Sequence, residues 1–152
     1  MDIGCYPISW VRHIIGEEPL TVTAEAEVGP ADVDVYLTSE MTFPSGVTAR
    51  TSGDMRESTR FRADIEVIGE LGAMIVNNPL APQSGNSIKL NINGEGSTER
   101  FDRRATYGYQ LDAFIAAVDE GAQPLTGPED AVKQLKVIDR CYEAAGLPLR
   151  GL

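Results

Sequence analysis

The sequence predicts an α+β fold: a mostly antiparallel open sheet of six or so strands, helices on one face, and the other face free for oligomerisation. Three observations predict it. Apolar residues recur at helical spacing near the start of the chain and again after Tyr107. Between these stretches, short segments alternate apolar and polar side chains with a period of two. The links between the segments are mainly short and rich in Gly, Pro and Asn, and such links join antiparallel neighbours rather than parallel crossovers.

The first helix is expected from Tyr6 to Ile15, where Tyr6, Trp10, Val11, Ile14 and Ile15 share a stripe. Asp2 is placed to cap it. Pro7 conflicts with that cap, because it removes a backbone donor just past the free first turn. The regular helix is therefore expected nearer Tyr6, after a distorted turn, and Gly16 and Pro19 stop it.

Leu20 to Val28 alternates without a break, with Thr21, Thr23, Glu25 and Glu27 on the polar side. Val33 to Phe43 repeats the pattern, and Pro44-Ser45-Gly46 turns the chain into Val47, Ala49 and Thr51. Asp54 to Thr59 reads as a loop. Phe61, Ala63, Ile65 and Val67 form the next strand, Gly69 to Gly72 a turn, and Ala73 to Val76 a short strand. Asn77 to Asn86 reads as a surface loop. Ile88, Leu90 and Ile92 form the last strand, which Asn93-Gly94 ends.

Tyr107 to Gly121 then carries Leu111, Phe114, Ile115 and Val118 on one stripe. Thr126 and Glu129 fit a capping box, with Pro128 tolerated in the first turn of the final helix. Ala131, Leu135, Ile138, Tyr142 and Ala145 are expected to share its buried face. The outward sheet face would hold Thr21, Thr23, Tyr36, Thr38, Thr42 and Thr48; such a face suits solvent and a broad oligomer interface alike.

With 152 residues, 42% of them hydrophobic, the chain is expected to form a single domain with an ordinary core. No apolar run approaches a membrane span, and no signal-peptide pattern is visible. A formal charge of −10 argues against nucleic acid and anionic membranes as partners. Cys5 and Cys141 lie near opposite ends and have no metal-site spacing; two reduced cysteines in a cytoplasmic protein is the expectation. His13 is the lone histidine and cannot form a metal cluster.

Met1-Asp2-Ile3-Gly4-Cys5-Tyr6, followed by Arg12 and Gly16-Glu17-Glu18-Pro19, resembles the start of the C-terminal domain of the Gfo/Idh/MocA oxidoreductase family. Tyr107-Gly108-Tyr109-Gln110-Leu111-Asp112-Ala113-Phe114, then Gly121, Pro124, Glu129-Asp130-Ala131 and Ile138-Asp139, resembles its closing helices. The nearest likeness is to the glucose–fructose oxidoreductase and dihydrodiol dehydrogenase branch, where Tyr follows the Asp. The resemblance covers essentially the whole chain. It implies the substrate-binding and assembly domain of an NAD(P)-dependent sugar or diol oxidoreductase, with Asp2 and Tyr6 as the catalytic acid–phenol pair.

The resemblance further implies that NAD or NADP is bound mainly by an N-terminal Rossmann domain. Neither its catalytic-lysine motif nor its glycine-rich fingerprint occurs in these residues, since Gly94-Glu95-Gly96 lacks the third glycine and the helix. The chain thus reads as a separated C-terminal half, not active alone and forming homo-oligomers through the sheet face.

An alcohol oxidation needs a group to take the hydroxyl proton, and a neutral phenol is a weak base unless a cation assists it. Spacing alone favours the simpler reading, with Asp2 an N-cap and Tyr6 a half-buried helix residue; the resemblance brings the catalytic reading level with it. Arg100, Arg103 and Arg104 suit a phosphate or sugar acid, or ion pairs with nearby carboxylates. Trp10 and Cys5 read as packing residues, and His13 as a helix-face residue. The alternative for the whole chain is a free-standing, non-catalytic ligand-binding or oligomerisation module.

Overall fold

Pro7 and Gly4 together fix where the first helix begins. The computed structural model describes residues 2–149, so Met1 of the opening motif lies outside the described residues. Helix α1 runs Cys5–Ile15 with Gly4 as its N-cap. Pro7 then falls in the first turn, where no intrahelical donor is required. The capping role expected of Asp2 is not realised: Asp2 precedes the helix, and no side chain caps it. The C-terminal stop falls at Gly16, whose N–H donates to the Arg12 carbonyl at 2.8 Å.

Seven antiparallel strands follow, in two ladders: β1 (Thr21–Val28), β2 (Asp34–Thr42) and β3 (Thr48–Asp54) in one, and β4 (Asp64–Gly69), β5 (Gly72–Asn77), β6 (Ser87–Ile92) and β7 (Glu95–Glu99) in the other. Helix α2 (Thr106–Glu120) and helix α3 (Pro128–Ala144) close the chain. The α+β plan with an antiparallel sheet therefore holds, with one strand more than expected and a division into two sheets. Contacts divide the chain into two compact units, residues 1–59 with 125–152, and residues 60–124.

In the first unit, α3 packs on β1, α1 on β3, and the two helices on each other. Their core is Ile8 of α1, Leu37 and Met41 of β2, Phe43 beyond it, and Val137 and Cys141 of α3. The pairing register puts Thr21, Thr42 and Thr48 side by side on the opposite sheet face, with Thr23, Glu40 and Arg50 next to them. That is the polar face the alternation predicts. Gly53 of β3 is needed where it stands: a Cβ there would meet the Gly4 Cα at 2.9 Å. Strand β3 and the start of α1 thus touch backbone to backbone.

The buried face of α3 differs from the expected one. Val137, Cys141 and Tyr142 are buried, whereas Leu135 is exposed. Polar anchors set this rotation. Asp130 and Gln134 turn inward to Arg12, and the Tyr142 hydroxyl donates to the buried Asp34 at 2.6 Å. The expected capping box is absent too, because Gly127 is the N-cap and no side chain bonds there.

In the second unit, register places Ile65, Val67, Met74, Val76, Ile88, Leu90 and Ile92 on one sheet face. Asn93 and Gly94, at φ 53° and 84°, make the two-residue turn into β7, the left-handed pair that hairpins of this length need. The strand expected to open at Phe61 begins instead at Asp64. Residues 78–86 form a tied loop. The Asn78 side chain donates to the carbonyls of Ala81 and Gly85 at 2.7 and 2.8 Å, and that of Asn86 to Pro82 and Asp102 at 2.9 and 3.0 Å.

Candidate functional site

Asp2 and Tyr6 both lie at the open end of α1. Asp2 is exposed and sits outside the helix; its carbonyl accepts a bond from the Cys5 thiol at 3.0 Å. Tyr6 occupies the first turn and is 44% exposed, its ring against that of Trp10 with centroids 6.4 Å apart. The Tyr6 hydroxyl makes no hydrogen bond to another described residue, so it is free to meet a ligand. Because Asp2 precedes α1, the two side chains are not brought together by a continuous helical repeat; a turn at Ile3-Gly4 separates them.

Cys5 is half-buried and Cys141 buried, and both are free thiols. Burial, with the Asp2 carboxylate behind it, pushes the Cys5 thiol up, the direction opposite to nucleophilic activation. Packing is the role that fits.

The segment is held by a side chain that sequence reasoning gave no role beyond the resemblance. Arg12 lies on the apolar stripe of α1 and is 4% exposed. It donates to Glu18 through Nε and Nη2 at 2.8 and 2.7 Å, to Asp130 at 2.9 Å and to Gln134 at 2.9 Å. Gln134 in turn donates to the Cys5 carbonyl at 2.8 Å, one residue before Tyr6. A buried guanidinium is tolerated only when so paired. The Arg12 bond holds the Glu18 carboxyl below the usual carboxylate range against the opposing effect of burial. His13 Nε2 lies 3.5 Å from Asp130 and makes no hydrogen bond. The signal for this node was present: a charge at i+4 from Ile8 in an otherwise apolar stripe.

The second unit holds an acid–phenol contact of its own. The Tyr109 hydroxyl reaches both Asp102 oxygens at 2.8 Å, which draws the Asp102 pKa down and the Tyr109 pKa up. Arg104 lies over the Tyr109 ring at 4.8 Å and pairs with Asp112 at 2.6 Å. Of the three clustered arginines, Arg104 thus takes an acid partner and not an anion site. A cleft of about 180 Å³ adjoins this group, lined also by Asn86 and Phe101. A wider one, about 660 Å³, opens beside Phe61, Asp64, Glu66 and Asn77.

Among the described residues no group of three or more His, Cys, Asp or Glu is placed to hold a metal ion, and no helix is long and apolar enough to cross a membrane. Gly94 and Gly96 belong to the β6–β7 hairpin, not to a strand–turn–helix that could cradle a pyrophosphate.

Residues 1–75 match the GFO/IDH/MocA C-terminal domain. The chain is 29% identical over 147 residues to D-xylose 1-dehydrogenase (NADP(+)) 2 of Haloferax volcanii, covering 95% of this chain and 45% of that protein. It is 29% identical over 151 residues to inositol 2-dehydrogenase of Rhizobium meliloti, covering 91% and 44%. The structure of aldose–aldose oxidoreductase from Caulobacter crescentus, complexed with glycerol, superposes with a TM-score of 0.81 at 25% identity, over 94% of this chain and 44% of that one. Over residues 1–75 the chain thus matches the C-terminal domain of the GFO/IDH/MocA family, and nearly its whole length is similar to these dehydrogenases. It spans less than half the length of these relatives.

Proposed function

We propose that this domain binds the substrate of an NAD(P)-dependent sugar or diol oxidoreductase, working in the cytoplasm and completed by a Rossmann-type domain that holds the cofactor. The observation that carries the reading is Tyr6: a phenol with an unengaged hydroxyl, at the mouth of a helix whose first turn is tied down by Gln134 and by the Gly4–Gly53 contact. The relatives' names support the substrate class, since two act on xylose and inositol. The first of them is named for NADP(+).

In this reading Tyr6 hydrogen-bonds the reacting oxygen of the substrate, and Asp2 orients substrate and phenol from the turn before the helix. A phenol is a poor base at neutral pH, so a cation from the completing domain is required beside it. The lysine of the family motif fits that need. The Thr-rich face of β1, β2 and β3 is the surface for homo-oligomers, being broad and polar.

The test is to join the chain to the cofactor-binding part of a relative and replace Tyr6 by Phe. Turnover should fall by about a hundredfold, the scale of a lost proton-transfer group, with substrate binding less affected. Turnover within a few-fold of the parent overturns the role given to Tyr6.

A further inference from the structure

Phe61 has the side chain of a core strand and the setting of a surface loop. It lies just before β4 and is 77% exposed. Its ring lines the cleft of about 660 Å³ in the second unit. The register of β4 and β5 sets Asp64 beside Asn77 and Glu66 beside Ile75 on one sheet face. The cleft therefore has an apolar floor ringed by carboxylates and an amide. Loop 78–86 adds a further wall. The Asn78 backbone N–H donates to the Ala63 carbonyl at 2.8 Å, and the Asn78 side chain ties the loop to itself. The walls are thus in place before any ligand arrives, which lowers the ordering cost of binding.

We propose that this cleft binds a neutral carbohydrate. A sugar ring has an apolar C–H face and a rim of hydroxyls, and an exposed aromatic ring beside hydrogen-bond acceptors matches both. Phe61 is that ring. Glu66 has no hydrogen-bond partner among the described residues, so its carboxylate is available to sugar hydroxyls. The Asn77 side-chain NH2 donates to Ser87 Oγ at 3.0 Å, which leaves its carbonyl oxygen available as well. Arg62 donates to Asp64 at 2.6 Å and neutralises it. Glu66 is then the net charge of the cleft, and a phosphate or a sugar acid would meet it as a like charge. One free carboxylate is too few for a metal ion, which takes several oxygen ligands. The volume falls within the range of small-molecule pockets, about 300–1,000 Å³. Binding here needs neither a completing domain nor Tyr6, because every lining residue belongs to the second unit.

The experiment titrates the full chain with methyl β-D-glucopyranoside and follows its amide resonances by NMR. Shifts should concentrate at residues 61–66 and 75–84, with a dissociation constant in the millimolar range. D-glucuronate should bind about threefold more weakly, the scale of an exposed like-charge contact. Phe61→Ala should weaken the glucoside about tenfold, and Phe61→Tyr, which keeps a ring, should not. Glu66→Gln should bring the two ligands level. Leu71→Ala removes a side chain 67% exposed that does not line the cleft, and should leave the affinity unchanged.

An absence of shifts at the cleft residues up to the solubility limit of the glucoside overturns the proposal. So does unchanged affinity in Phe61→Ala, or glucuronate bound by the parent as tightly as the glucoside. A dimer that Phe61→Ala dissolves assigns the ring to a second copy and overturns it as well. Shifts gathered at residues 5–10 instead place the sugar at α1, which sinks the cleft and leaves Tyr6 its role. Tyr6→Phe should keep the affinity of the cleft while lowering turnover in chimeras of this chain with a relative's cofactor-binding part. Failure at the cleft and failure at Tyr6 are therefore separate results.

Discussion

The two units of the chain solve burial in opposite ways. Residues 1–59 with 125–152 contain every described side chain that is fully buried, from Ile8 and Leu37 to Cys141 and Tyr142. Residues 60–124 contain none, although their sheet face of Ile, Val, Leu and Met is as apolar as any core strand. Composition is not the difference. In the first unit two helices cover the sheet and a buried arginine joins them. In the second, α2 turns its large residues to water. A sheet alone cannot dry both its faces, so apolar pattern becomes stability only where a second layer lies on it.

Arginine substitutions should give the largest contrast. Arg12→Ala leaves Asp130 and Gln134 without their buried partner. It should cost about 3–5 kcal/mol, the range for breaking a buried ion pair. Arg104→Ala, at a half-exposed side chain paired with Asp112, should leave the urea midpoint nearly unchanged, because solvent screens the pair. Urea unfolding followed by circular dichroism measures both. Similar losses at the two sites erase the distinction between the units.

Apolar truncations come next. Leu37→Ala removes a side chain at 3% exposure in the core cluster and should cost about 3 kcal/mol. Leu90→Ala, on the half-buried face of β6, should cost about 1 kcal/mol, since less surface is regained by water. In a chain completed by a docked domain the second value should rise if that domain also shields the sheet.

Much of this was legible in the sequence, and the failures share a cause. Period-two and helical spacing located α1, α2, α3 and six strands, because those patterns record which side faces a partner. Strand β7, Glu95–Glu99, is exposed throughout and carries no apolar beat to read. Phe61 fits the beat of the next strand yet lies outside it and is 77% exposed. Leu135 was placed on the buried face of α3 by its apolarity; the polar anchors Asp130 and Gln134, reaching Arg12 from far along the chain, rotate it out. Asp2 has the right chemistry for a cap, but Pro7 moves the helix start past it. Pattern reports solvent preference. It is silent on which buried polar group finds which distant partner.

Glycine replacements should have a smaller effect of the same sign. At Gly53 a Cβ meets the Gly4 backbone at 2.9 Å, and backbone cannot step aside as a side chain does. Gly53→Ala should therefore cost about 2 kcal/mol by overpacking, and it should also displace the first turn of α1 that carries Tyr6. At Gly96 the nearest atom to a new Cβ is 4.0 Å away, so Gly96→Ala should be neutral within about 0.5 kcal/mol. In the chimeras, Gly53→Ala should also lower turnover, which a purely structural defect elsewhere in the sheet would not do.

The smallest expected effect is on pH dependence and belongs to Glu18. Its folded pKa is held below the ordinary value, chiefly by the hydrogen bond from Arg12. A depressed carboxylate contributes stability that is present above its unfolded pKa of about 4.3 and is lost as pH falls through the folded value. The side chain is 43% exposed, so solvent screens the pair; the contribution should stay under about 1 kcal/mol. Urea midpoints measured from pH 6 down to pH 3 should therefore fall less steeply in Glu18→Gln than in the parent. Parallel curves would mean that Asp130 and Gln134 alone hold Arg12, and that the turn after α1 can be altered without disturbing the helix that presents Tyr6.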